Sequence, residues 1–133
     1  MSNHFHLLVY QKKLPYLEKL MRSIMTSYSR YFNLRYKRTG SLFESRYKAV
    51  HIDDDSYLQH ITRYIHLNPR RWEQYRYSSL KYYKDTTNRQ PVWLNTKPIL
   101  DLFEDTDEYM QFVADYQEQR DILSELKYQL ADT

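Results

Sequence analysis

From Pro15 to Tyr36 apolar side chains return at intervals of three and four: Leu17, Leu20, Met21, Ile24, Met25, Tyr28, Tyr31 and Phe32. That spacing predicts one long amphipathic helix over roughly residues 15–36, with Lys19, Arg22, Ser23, Ser27 and Arg30 at its other positions. Pro15 suits a first helical turn, where a missing N–H costs nothing. Gly40, the single glycine of the chain, marks the turn that follows. At 133 residues one domain with a modest core is expected, and such a helix needs a second layer to cover its apolar stripe.

Residues 4–10 read as a short apolar strand ended by Gln11-Lys12-Lys13. Side chains alternate faces along a strand, so His4 and His6 point one way and Phe5 the other. One face can then hold a metal while the other anchors in the core. Residues 41–52 alternate loosely through Phe43, Tyr47, Val50 and Ile52, which predicts one or two further strands. Asp53-Asp54-Asp55-Ser56 supplies cap candidates and acids for a helix N-terminus, followed by a helix over about 55–67 that Pro69 ends. A short helix near 78–84, a polar loop over 85–91, a helix near 98–103 and another from about 107 to 130 complete the reading.

The net charge of +3 conceals a division. Residues 11–48 hold ten Lys/Arg against two acids, whereas residues 98–133 hold two against ten. The basic part has the electrostatic footprint of a nucleic-acid partner, and the fifteen tyrosines suit half-buried or base-stacking surfaces. Arg22, Arg30, Arg35, Lys37, Arg38, Arg46 and Lys48 are the candidate DNA contacts, with Gly40 letting the hairpin approach a phosphate backbone. As a plain alternative, the strip is a solvated charge run. The absence of cysteine excludes disulfides and thiolate metal sites, and is compatible with a reducing cytosol. The chain has no apolar run near 18 residues, so a cytoplasmic, nucleoid-associated protein is expected.

Tyr64-Ile65-His66-Leu67-Asn68-Pro69 carries the second chemical element. On a helix Tyr64 and Asn68 lie one turn apart on one face. A phenol, an amide oxygen and two imidazoles are suitable parts for metal-assisted, covalent cleavage of a phosphodiester. Tyr57 and Tyr47 are the nearest competitors, but neither has an amide residue four positions on. His66 faces elsewhere and is read as packing or substrate contact, while His51 and His60 are unassigned.

The stretch Asn3-His4-Phe5-His6-Leu7-Leu8-Val9 resembles the histidine–hydrophobic–histidine strand of single-tyrosine (HUH) insertion-sequence transposases, and most nearly that of the REP-associated tyrosine transposases. The resemblance continues through Ser27–Asn33, Arg38–Lys48, Asp55–Leu58 and Arg63–Pro69, and covers about residues 1–115. It implies an α+β fold: a small antiparallel sheet flanked by helices, of the ferredoxin-like HUH nuclease type, with a helical C-terminal tail. The catalytic domain would span 1–84, and a polar loop and acidic helical tail 85–133. It implies Tyr64 as the nucleophile, leaving a 5′-phosphotyrosine and a free 3′-hydroxyl. His4, His6 and Asn68 would hold Mg²⁺ or Mn²⁺, Asn68 standing where relatives often carry glutamine. The implied substrate is single-stranded or hairpin DNA of palindromic repeats.

Such relatives carry a strand and a helix ahead of the histidine strand, so an incomplete N-terminus is expected, with a misplaced start, truncation or pairing with a second chain as explanations. A homodimer is one way to supply the partner strand. The rival functions are a hairpin-DNA-binding remnant or regulator that does not cut, and a metal-dependent phosphodiesterase that uses water.

Overall fold

The computed structural model describes residues 4–69 and 71–115. They form two compact units: Leu8–Ala49, and the residues up to Leu7 together with those from Val50 onward.

In the first unit the predicted long helix forms as α1, Tyr16–Tyr36. Glu18 in its first turn and Arg35 in its last complement the helix dipole. The stop is made by Lys37, not Gly40. Lys37 adopts the left-handed conformation (φ 52°, ψ 43°), and Arg38 N donates back to Asn33 O at 2.9 Å. This closure satisfies the end of the helix but usually falls to glycine, because a Cβ is disfavoured there. Gly40 has its own need of glycine, at φ +90°. Asn33 Nδ2 donates to Gly40 O at 2.9 Å and ties that turn to the helix. Tyr28, Phe32 and Phe43 cluster, with the Arg38 guanidinium 5.7 Å from the Phe32 ring centre.

The predicted sheet is not what forms. Among the described residues there is no strand, so an antiparallel sheet flanked by helices is overturned in favour of a helical fold. Residues 4–10 carry no strand or bridge, and Phe5, Leu7, Leu8 and Val9 are exposed. An apolar alternation selects a strand only where a neighbour takes up its N–H and C=O groups. In 41–52 the serines bond locally instead, Ser41 Oγ donating to Phe43 O and Ser45 Oγ to Arg46 O. Such bonds compete with a ladder. Without a sheet layer, Met21 alone of α1 is buried, and Leu20, Tyr28 and Tyr31 stay exposed.

The second unit holds α2 (Asp55–Leu67), a single 3₁₀ turn (Trp72–Gln74), α3 (Leu80–Lys84), α4 (Lys97–Leu100) and α5 (Thr106–Ala114). Asp54 caps α2 as its sequence position predicts, its carboxylate accepting from Tyr57 N at 2.8 Å. Asp105 does the same for α5 through Glu108 N, also at 2.8 Å. Asn68 is the C-cap of α2, and Pro69 then blocks continuation. The helix expected near 98–103 is α4 followed by turns, with Leu102 N and Phe103 N donating to Ile99 O and Leu100 O. The helix expected over 107–130 begins as α5, and its part from residue 116 on lies outside the described residues.

α2 packs on α4 and α5, and α3 on α5. Their core is Leu80, Tyr83, Ile99, Tyr109 and Val113, with Leu58, Leu67, Trp72, Leu100, Phe103 and Met110 against it. Burying one such aliphatic side chain contributes about 1.5–3 kcal/mol. No helix of the described residues is long and apolar enough to cross a membrane.

Candidate active site

The period of α2 gives the helix two faces with opposite fates. Ile61, Thr62, Arg63 and His66 are buried, while Tyr64 and Asn68 are half-buried, one turn apart. The buried face is held by polar contacts as well as packing. The His66 imidazole lies between two hydroxyls, with Nδ1 2.6 Å from Tyr109 Oη and Nε2 2.8 Å from Ser79 Oγ. A neutral imidazole has one donor and one acceptor, so the two hydroxyls satisfy it completely. Burial lowers its pKa to about 4. Arg63 donates to the carbonyls of Phe112 and Asp115 at 3.2 and 3.4 Å, where α5 ends. Its guanidinium also stacks over the Phe112 ring at 4.2 Å and reaches His60 Nδ1 at 3.0 Å. The negative end of α5 and the attraction of the Asp115 carboxylate together accommodate this cation.

These contacts fix the rotation of α2, and with it the direction of Tyr64 and Asn68. On that side the segment that carries His4 and His6 returns. The His6 ring meets the Tyr64 ring edge-on, with centroids 5.4 Å apart. Asn68 Nδ2 lies 3.4 Å from His6 Nε2, and the Asn68 amide also hydrogen-bonds the Tyr64 hydroxyl. His4 stacks edge-on against His6 at 5.2 Å and is the exposed member of the group. His4, His6, Tyr64 and Asn68 thus gather although some sixty residues separate them in sequence.

The electrostatics follow from this partial burial. Desolvation, and then the neighbouring His4, lower the pKa of His6 and favour its neutral, lone-pair-bearing form. Desolvation raises the pKa of Tyr64, with the Asn68 hydrogen bond acting in the opposite sense. The phenol is therefore protonated at neutral pH, and attack through its oxygen requires a proton acceptor or a nearby positive charge.

Among the described residues no group of three or more His, Cys, Asp and Glu side chains gathers as a metal site. A metal here would take its third protein donor from the Asn68 amide. Exchange of the amide nitrogen and oxygen, an assignment free at the level of geometry, turns Oδ1 toward the same point as His6 Nε2. Two imidazoles and an amide oxygen form a mixed N/O set that suits a divalent first-row ion, and that also admits Mg²⁺ with water completing the shell.

The expected DNA contacts all lie in the Leu8–Ala49 unit. Arg22, Arg30, Arg35, Lys37, Arg38, Arg46 and Lys48 are exposed. Arg22 is paired to Glu18 at 2.7 Å on an exposed helix surface, where such a pair contributes little. Sequence reasoning missed Ser79, Tyr109 and Arg63 as supports of the site. Only Arg63, a cation inside the apolar period of α2, carried a signal.

The model of the IS200-like transposase family matches residues 1–68, which include all four of the gathered side chains. No curated protein and no solved structure matches the chain.

Proposed function

The chain belongs to the IS200-like transposase family, and from that premise we propose that it cleaves and rejoins single-stranded or hairpin DNA through a covalent bond to Tyr64. The observation that carries the reading is the convergence of His6 and Asn68 on Tyr64, at 3.4 Å between His6 and Asn68 and 5.4 Å between the His6 and Tyr64 rings. Tyr64 Oη attacks phosphorus, its proton leaves to solvent or a base, and the bond from phosphorus to the 3′-oxygen breaks. The products are a 5′-phosphotyrosine and a 3′-hydroxyl. The ester keeps the energy of the broken bond, so a second 3′-hydroxyl can attack it and reseal the strand without a nucleotide cofactor.

His4, His6 and Asn68 are the residues that would hold Mg²⁺ or Mn²⁺. When bound, the ion supplies positive charge against the phosphate oxygens and the developing phenolate. Asn68 has a second task, since its side chain hydrogen-bonds the Tyr64 hydroxyl and opposes the rise in its pKa. The basic, tyrosine-rich unit around α1 supplies phosphate contact and exposed rings for unpaired bases.

The test is a denaturing gel with end-labelled hairpin DNA, Mg²⁺ or Mn²⁺, and wild type beside Tyr64→Phe. A protein–DNA adduct that requires both metal and Tyr64 is expected. Cleavage without an adduct would replace this mechanism with attack by water. A salt-sensitive complex with no cleavage would leave a binding protein.

A further inference from the structure

Residues 91–94 form a tight turn in which Leu94 N donates to Pro91 O at 2.9 Å. Its two central residues are Val92 and Trp93, and both project into solvent, at 105% and 81% of full exposure. The stem is fixed just below the apex. Gln90 Nε2 donates to Thr96 Oγ1 at 3.1 Å, and Thr96 is buried. Asn95 Oδ1 accepts from Lys97 N at 3.2 Å and locks the far side to the start of α4. The chain's other tryptophan, Trp72, packs on the core as an aromatic ring ordinarily does. Trp93 contributes nothing comparable to folding, although a rigid turn holds it in place.

The charge around this turn selects a partner. Residues 76–97 carry Arg76, Lys81, Lys84, Arg89 and Lys97 against one acid, Asp85. The Asp85 carboxylate is engaged by Thr87 N, Thr87 Oγ1 and Asn88 Nδ2 at 2.9, 2.6 and 3.2 Å. Lys97 pairs with Asp101 at 2.8 Å, Arg76 lies over Tyr77 and Lys81 over Tyr82. Lys84 and Arg89, which precede the turn, have no carboxylate partner among the described residues. A protruding indole that follows uncompensated cations within a few residues of chain fits a polyanion that offers flat apolar faces. Unpaired nucleobases on a phosphate chain have both properties, whereas a stacked duplex shows no open base face.

We infer that the Val92–Trp93 turn is a second contact for single-stranded DNA, Trp93 stacking on an unpaired base while Lys84 and Arg89 meet the adjoining phosphates. The contact lies beyond residue 68, outside the match to the transposase family. It rests on the DNA-binding part of the proposed function and not on Tyr64 chemistry.

The experiment titrates the full chain with oligothymidylate and with a DNA hairpin bearing a single-stranded tail, following tryptophan emission and affinity. The difference between wild type and Trp93→Ala isolates Trp93, and Trp72→Phe is a second background in which it is the sole tryptophan. Expected are saturable quenching that Trp93→Ala abolishes, and roughly ten-fold weaker binding of the tail by that variant. Trp93→Phe should recover most of the affinity. The inference is overturned if Trp93→Ala binds within two-fold of wild type and emission is unmoved by DNA. If the Tyr64 adduct still forms in that case, the proposed function survives alone. Failure of wild type to bind either DNA overturns both. Emission that responds to phosphatidylglycerol vesicles but not to DNA overturns the inference in favour of a lipid surface.

Discussion

Acidification should unlatch α2 through one side chain, His66. In the folded chain its imidazole is buried and neutral between Tyr109 and Ser79, with a pKa near 4 against 6.5 for a solvated histidine. Between those values the unfolded chain holds a proton that the folded chain refuses, so stability falls as pH falls through this window. Above pH 6.5 the group has no effect. A shift of this size amounts to about 3 kcal/mol in full, of which about 2 kcal/mol is lost by pH 5. That is a large part of the stability of a small domain and moves a urea midpoint by about 1 M. The assay is urea unfolding at pH 7.5 and pH 5, for wild type and for His66→Gln, which keeps a donor and an acceptor but cannot titrate. His6 and His60 have lowered values too and respond in the same direction, so the difference between the proteins is what counts. Equal losses in both proteins would refute the reasoning. So would an NMR titration of wild type that placed His66 above pH 5.5.

Further outcomes follow from other residues. Lys37→Gly should stabilise the fold by about 1 kcal/mol in urea unfolding, because it frees the left-handed stop of α1 from a Cβ; a destabilised variant would contradict that account. Asp54→Ala should cost about 1 kcal/mol and Asp54→Asn only a few tenths, read by the same method. Mn²⁺ at a hundred times its dissociation constant should raise wild-type stability by about 2.7 kcal/mol and leave His6→Ala and Asn68→Ala unmoved; a wild type indifferent to Mn²⁺ would remove the metal from the site.

The helices were legible in the sequence because their signals are local. The three-and-four spacing gave α1, and Asp54 with Pro69 bracketed α2 nearly to the residue. The pairing of Tyr64 with Asn68 needed only the helical period. The sheet was misread because alternation in residues 4–10 and 41–52 says which faces a strand would have, not whether a neighbour exists to pair with it. Serines at 41 and 45 were the local warning, since their hydroxyls found nearer acceptors. The approach of His6 to Asn68 rested on resemblance, as no periodicity connects residues so distant. The Tyr109–His66 bond spans 43 positions and had no sequence signal at all.

The buried side of α2 bears on where this protein can be cut. The family match stops at residue 68, which invites a fragment that ends there. Yet Arg63 and His66 find their partners at Ser79, Tyr109, Phe112 and Asp115. A piece trimmed to the match would keep His4, His6, Tyr64 and Asn68 and still expose a cation, an imidazole and an apolar stripe to water. Nothing would then hold the angle at which Tyr64 is presented. The smallest piece able to test the chemistry reaches at least to Asp115.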